Sequence, residues 1–395
     1  MSYPYGMRLP LSILSIALLL VSVASAQHIA RIDGSHITAD SLDHRIAYLM
    51  RRANVPGLCI AVFNKNSPVY HKALGYANAQ TKVPLTTASV LYSASFSKTV
   101  FAYIAMKVIE SGAIDLDTPL VRYLSRPLPD YQLPPGRGYA DLRADTRYQR
   151  ITARMCLDHT SGLPNYRSDY PDGRLRILFD PGTKYSYSGE GMCLLQFVIE
   201  QVTGRTFEQL CEQKVFHPMH MTHSSFLLRE HMLPHLAYGH DGNGNPYALR
   251  MDSDVDCSAS MRTTLDDYSH FFGYVMQERG LKKSSYKEMF TPQLRLKSKQ
   301  QFGPNSNIET TDNDKIELSY GLGWVLMKTP YGPAFFKEGR VSGFQHYCIA
   351  YPDQDIGVII MTNSDNGESI FKALLEASIA DTFTPWYWEN YIPKE

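Results

Sequence analysis

Apolar residues dominate two runs near the start of the chain, Leu58 to Phe63 and Pro68 to Gly75, and the link between them, Asn64-Lys65-Asn66-Ser67, is polar. Two such runs joined by a short polar link predict a β-hairpin. A second group of strand-like runs lies far downstream, at Leu322–Lys328, Ala334–Glu338, Phe344–Tyr351 and Ile356–Thr362, with Pro330-Tyr331-Gly332-Pro333 and Pro352-Asp353 as turns. Between the groups the period changes to that of a helix. Phe101, Ile104, Ala105, Val108 and Ile109 form one apolar stripe and Leu194, Leu195, Val198, Ile199 and Val202 another, ending at Gly112 and Gly204. A third helix fits Leu265, Tyr268, Phe272, Val275 and Met276, with Thr264 as its N-cap. Arg126 to Gln149 and Lys297 to Lys315 show neither period and read as long loops over a cleft. The pattern predicts an α/β fold. An antiparallel sheet is formed by both chain ends, about residues 40–92 and 320–385, flanked by helices, with a largely helical region of about residues 95–320 inserted.

The first residues alter this picture. Arg8 precedes an uncharged run from Leu11 to Val23, and Ala24-Ser25-Ala26 before Gln27 fits a small-residue cleavage site. Residues 1–26 are therefore expected to be a signal peptide, leaving 27–395 as an exported domain, periplasmic or secreted. The run is shorter than the ~20 apolar residues of a membrane-spanning helix. No other long apolar run predicts a membrane span once the signal is removed.

Charge narrows the partner class. Thirty-nine Lys and Arg balance thirty-nine Asp and Glu, so no net field draws the chain to nucleic acid or an anionic membrane. The expected partner is a small molecule, and the oligomeric state is left open. Cys59, Cys156, Cys193, Cys211, Cys257 and Cys348 are scattered without a CxxC pair, which reads as buried free thiols. Export would permit a disulfide, but spacing assigns no pairing. His217, His220 and His223 recur every third residue beside Met219 and Met221, a weak metal-binding signal interrupted by Pro218, and no metal is expected there.

Candidate chemistry starts at Ser95-Phe96-Ser97-Lys98. A serine followed three residues later by a lysine puts a nucleophile one helical turn from a base. A lysine held in apolar surroundings loses proton affinity and can accept the serine proton. About one or two such patterns arise by chance in a chain of this length. A second copy does occur, Ser284-Ser285-Tyr286-Lys287, in a short segment broken by Pro292 that reads as a polar surface turn.

With the first copy heading a long helix, the chain resembles the serine β-lactamase and penicillin-binding protein superfamily, especially its class C-like branch. Leu157-Asp158-His159-Thr160-Ser161-Gly162-Leu163-Pro164 is similar to the branch's HTSGLP segment, and Pro181-Gly182 with Tyr185-Ser186-Tyr187-Ser188 to its PG…YS stretch. Lys337-Glu338-Gly339, Gly343-Phe344 and Thr362-Asn363-Ser364 resemble its terminal KTG or HxG strand region. The resemblance implies a serine hydrolase working through an acyl-enzyme, with Ser95, Lys98 and Tyr187 catalytic. It also implies that Lys337, Gly339, Arg340, Gly189 and Glu338 line the substrate site, and that no metal or organic cofactor is required. The backbone NH groups of Ser95 and Arg340 would form the oxyanion hole.

Two positions depart from the family pattern. Gly189 replaces the asparagine of YxN, removing an amide that often contacts a substrate's acylamino group. Glu338 stands where Thr or Ser often helps bind a substrate carboxylate. Facing the site, Glu338 would repel that carboxylate by about 4 kcal/mol at ~4 Å and a dielectric near 20. Strand alternation would instead turn it from Lys337, with Arg340 offsetting its charge. Small ester or amide hydrolysis is thus the leading expectation. The alternatives are a β-lactamase or D-alanyl-D-alanine carboxypeptidase, and a non-catalytic protein that binds cell-wall peptide or another ligand.

Overall fold

The structure, a computed structural model, describes residues 1–2, 28–134, 136–251 and 254–391. The expected signal segment lies outside the described residues, apart from the first two. No helix of the described residues is long and apolar enough to cross a membrane.

The main sheet is built from β1 (Gly57–Asn64), β2 (Ser67–Asn78), β3 (Val83–Pro84), β4 (Leu294–Arg295), β5 (Ser319–Tyr320), β6 (Val325–Thr329), β7 (Gly332–Val341), β8 (Phe344–Tyr351) and β9 (Ile356–Thr362). Its nine strands run in the order β3-β2-β1-β9-β8-β7-β6-β5-β4, antiparallel throughout. The two chain ends therefore meet where β1 pairs with β9, Leu58 opposite Thr362 and Ile60 opposite Ile360. The hairpin expected at residues 64–67 turns through Lys65 and Asn66, both at positive φ (52° and 56°), a geometry that matches the right-handed strand twist. The two-residue strands β4 and β5 lie on the sequence side read as helical. Elements that short carry no period to detect.

Both faces of the sheet are covered, which is why its central strands read as unbroken apolar runs rather than alternating ones. Leu58, Ile60 and Val62 face a core shared with α1 (Ala39–Ala53), whereas Cys59, Ala61 and Phe63 face the opposite core. That second core contains α2 (Ser97–Glu110), α3 (Gly189–Thr203) and α4 (Leu265–Met276), followed by the short α5 (Lys283–Met289). The first core is closed by α6 (Phe371–Ile379) and the C-terminal aromatics Trp386, Trp388 and Tyr391. Helix α2 is buried almost all round, the behaviour of a helix sandwiched inside a domain. Thr264 caps α4 by accepting from the Asp267 NH at 3.0 Å, and Gly204 ends α3 in the left-handed conformation, both as expected.

The long loops are packed. Residues 126–149 form three short 3₁₀ turns and bury Leu128, Tyr139, Leu142 and Tyr148. Apolar residues spaced for such turns show no helical or strand period, so the sequence hid their burial. The 297–315 loop sends Gln301 and Phe302 towards the second and third motifs described below.

Candidate active site

The chain approaches Ser95 through a two-residue strand, Leu91–Tyr92, paired with Arg262–Thr263. Ala94 then adopts a left-handed conformation (φ 46°), and residues 94–96 form a 3₁₀ turn that runs into α2. A non-glycine residue there costs on the order of 1–3 kcal/mol and persists only where its surroundings impose it. They do so here. Ser93 Oγ donates to the Met261 carbonyl at 2.6 Å, Ser97 Oγ accepts from the Met261 NH at 3.1 Å, and Phe96 stacks on Tyr268 with ring centroids 4.5 Å apart. Ser95 alone in this stretch remains partly exposed, while Ser93, Ser97 and Lys98 are fully buried.

Lys98 Nζ donates to Ser95 Oγ at 3.2 Å and to the Ser258 carbonyl at 2.7 Å. Burial, reinforced by the Lys337 charge, lowers its pKa to about 8, so a neutral fraction exists near physiological pH. Tyr187 lies beside the same serine, and burial first and the Glu338 charge second hold its hydroxyl well above the ordinary tyrosine range. Lys98 Nζ and Lys337 Nζ lie 4.8 and 4.9 Å from the centroid of the Tyr187 ring. Of the two groups beside Ser95, the lysine has lost proton affinity and the tyrosine has gained it.

Lys337 Nζ donates to Tyr187 Oη at 3.0 Å and to Glu338 Oε1 at 2.6 Å. Lysine and glutamate are 0% and 5% exposed, so this ion pair is sealed from water. Glu338 is therefore not turned away from Lys337. The strand does alternate, but the flexible lysine stem folds back to reach its neighbour. Nor does Arg340 offset Glu338: its guanidinium is directed outward, 3.3 Å from Glu368. Gly339 fits between them because a Cβ there would lie 2.9 Å from the Ser93 carbonyl oxygen, forcing β7 off the serine turn.

Gly189 opens α3 next to Tyr187. A Cβ at this position would come within 2.7 Å of the Asn165 carbonyl and 3.3 Å of its side-chain oxygen, which accepts from the Gly189 NH at 3.2 Å. The space a longer side chain would need is filled.

The structure thus brings the hydrogen-bonded pair Ser95–Lys98 against the hydrogen-bonded trio Tyr187–Lys337–Glu338, Lys98 Nζ lying 4.8 Å from the Tyr187 ring centroid, with Gly339 and Gly189 packed at the edges and the Arg340 side chain outside. The second SxxK copy is not a surface turn but lies in α5, with Ser285, Tyr286 and Met289 buried. Apolar residues three apart favour a helix there, and Pro292 lies beyond its end. Ser284 and Lys287 remain in solvent, without the enclosure of Lys98. His217 and His220 are exposed, Met219 and Met221 belong to the core, and the His223 NH donates to Asp267.

Three participants were not assigned from the sequence. His159, fully buried, accepts from the Ser188 NH at 3.1 Å, pairs with Tyr320 Oη at 3.1 Å and lies 4.4 Å from the Tyr187 ring. Burial and the nearby Lys98 and Lys337 charges push its pKa far down, so a neutral imidazole orients the tyrosine. Its place in the HTSGLP-like segment was the available signal. Ser258 acts on Lys98 through a backbone carbonyl, which carries no sequence signature. Phe302 packs edge-on to Tyr187 (5.2 Å) from an aperiodic loop.

Comparison with known proteins agrees with this architecture. Penicillin-binding protein 4* of Bacillus subtilis (strain 168) is 25% identical over 345 residues, 78% of this chain and 68% of that protein. The chain spans about two thirds of the length of the curated relatives it matches. Among solved structures, the D-alanine carboxypeptidase AmpC from Burkholderia cenocepacia superposes with a TM-score of 0.67 at 20% identity, covering 86% of this chain and 98% of that one. EstCE1, a hydrolase with promiscuous acyltransferase activity, superposes at 0.68 and 19% identity, covering 87% and 99%. The Beta-lactamase family model matches residues 42–381, and with that match the chain belongs to the Beta-lactamase family, within the serine β-lactamase and penicillin-binding protein superfamily.

Proposed function

We propose that this protein is an exported serine hydrolase that cleaves small, uncharged carboxylic esters through an acyl-enzyme on Ser95. The observation that carries the reading is the buried Lys98–Ser95–Tyr187 contact set, in which Lys98 has lost proton affinity and Tyr187 has kept its proton. Ser95 Oγ attacks the carbonyl carbon and its proton passes to Lys98. The alcohol leaves with a proton delivered through Tyr187, and water then releases the acid and restores Ser95. Preorganised NH donors at Ser95 and Arg340 would contribute roughly 3–4 kcal/mol at the oxyanion.

The preference for an ester over a β-lactam or a D-alanyl-D-alanine peptide rests on charge. Those substrates carry a carboxylate, and both nearby third-motif cations are engaged, Lys337 by Glu338 and Arg340 by Glu368. The missing amide at Gly189 supports the same preference.

The test compares wild type, Ser95→Ala and Ser284→Ala on phenyl acetate, a chromogenic cephalosporin and a D-alanyl-D-alanine peptide. Ester turnover and a trapped acyl adduct should vanish in Ser95→Ala and survive in Ser284→Ala. Saturable binding without turnover would favour the ligand-binding alternative. N-terminal sequencing of the exported protein should begin at Gln27.

A further inference from the structure

Cys193, Asp256 and Cys257 converge beside Lys98 without belonging to the chemistry above. Both Sγ atoms and a carboxylate oxygen lie within 4.8 Å of one another, and Cys193 Sγ donates to Asp256 Oδ1 at 3.4 Å. The access of the two thiols differs. Cys257 is fully buried, whereas Cys193 is partly exposed and, with Asp256, Glu190 and Tyr166, lines a cavity of about 710 Å³.

Each thiol sits on an element that positions a catalytic candidate. Cys193 lies in the first turns of α3, which begins two residues after Tyr187. Cys257 immediately precedes Ser258, whose carbonyl holds Lys98. We propose that Cys193 and Cys257 form a redox-active dithiol whose disulfide joins α3, the helix that directly follows Tyr187, to the segment that holds Lys98, with a small disulfide such as oxidised glutathione as the oxidant.

The exchange balances as follows. Cys193, giving its proton to Asp256, attacks one sulfur of the oxidant; a protein–glutathione bond forms, the oxidant's S–S bond breaks, and one glutathione leaves as a thiolate that takes up a proton. Cys257 then attacks Cys193 Sγ, forming the protein disulfide and expelling the second glutathione, which takes the remaining proton. Two protein thiols are oxidised and one disulfide is reduced. The accessible thiol attacks and the buried one resolves; the lowering of the Cys193 pKa by Cys257 is outweighed by burial and the Asp256 charge, and burial pushes Cys257 well up, so the exchange should be slow at neutral pH and faster as pH rises. A metal ion fits the same atoms less well. Two of the three donors come from consecutive residues, Asp256 Oδ1 already accepts from the Ser258 NH at 2.7 Å, and the Lys98 charge acts on the same groups.

The experiment treats the folded mature protein with oxidised glutathione and follows intact mass, peptide mapping and thermal unfolding. Wild type should lose the mass of two hydrogens, yield a Cys193–Cys257 cross-linked peptide and unfold several degrees higher, all reversed by dithiothreitol. Cys257→Ser should stop with one glutathione attached at Cys193, and Cys193→Ser should form no adduct at Cys257. The proposal fails if wild type retains six free thiols, if another cysteine pair is linked, or if Zn²⁺ added alone shields both thiols from alkylation and from the oxidant.

Discussion

Replacing Glu338 by glutamine tests whether the Lys337–Glu338 pair sets the charge of the acceptable substrate. Glutamine keeps an oxygen able to accept from Lys337 Nζ, as Glu338 Oε1 does at 2.6 Å, but removes the negative charge. Two unit charges ~4 Å apart at an effective dielectric near 20 interact by about 4 kcal/mol. Attraction of that order becomes available to a substrate carboxylate once Lys337 is no longer neutralised. Desolvation of the carboxylate leaves roughly 1–2 kcal/mol net, a factor of about 5–30. The assay is the ratio of kcat/KM for 3-carboxyphenyl acetate to that for phenyl acetate, in which losses common to both substrates cancel. That ratio should rise about 5- to 30-fold in Glu338→Gln. The variant should also unfold at a lower temperature, because removing one partner of a buried pair costs roughly 3–5 kcal/mol. The low end is expected, since the substitution removes the Glu338 charge that, after burial, pushes the Glu389 carboxyl well above the usual carboxylate range. An unchanged ratio in a folded, active Glu338→Gln protein would refute the charge argument.

The pH dependence follows from Lys98. With its pKa near 8, ester kcat/KM should fall about tenfold per pH unit below that value and level off above it, read from a pH–rate profile. The same shift has a stability sign. Between about pH 8 and 10.5 the unfolded chain holds the lysine proton and the folded one does not, so this group's contribution to stability rises with pH by roughly 3 kcal/mol. Lys98→Met should therefore exceed wild type in stability at pH 7 by more than it does at pH 10, as denaturant titrations at the two pH values would register. Gly189→Asn, which restores the common family residue, should lower stability by about 1–3 kcal/mol without improving β-lactam turnover, because its Cβ would press on the Asn165 carbonyl at 2.7 Å. Melting curves and a chromogenic cephalosporin assay measure both effects.

Elements whose apolar period is long were legible in the chain. α2, α3 and α4, the first strand of the 64–67 hairpin and the C-terminal strand runs bury stripes or nearly whole strands, and burial is what writes a period into a sequence. The two-residue strands, the packed 3₁₀ turns of residues 126–149 and α5 were read incompletely, because each is too short to write a period into the sequence. At the site, side-chain participants with ordered motifs were found, but Ser258 acts through its backbone and Phe302 lies on a loop without a pattern.

By itself, then, the sequence marked a candidate serine–lysine pair at a helix start, a tyrosine and a second lysine in family order, and determined a sheet closed by both chain ends. It left Glu338 with two opposite orientations, because the alternation of a strand fixes where a side chain departs and not where a four-carbon stem ends. Only the tertiary structure decided that Lys337 folds back onto Glu338 while touching Tyr187, and that Arg340 is engaged elsewhere. It also brought Cys193 and Cys257 together from positions far apart in the chain. Proton affinities and ion pairs depend on distance and burial among residues remote in sequence, and those quantities exist only once the chain is folded.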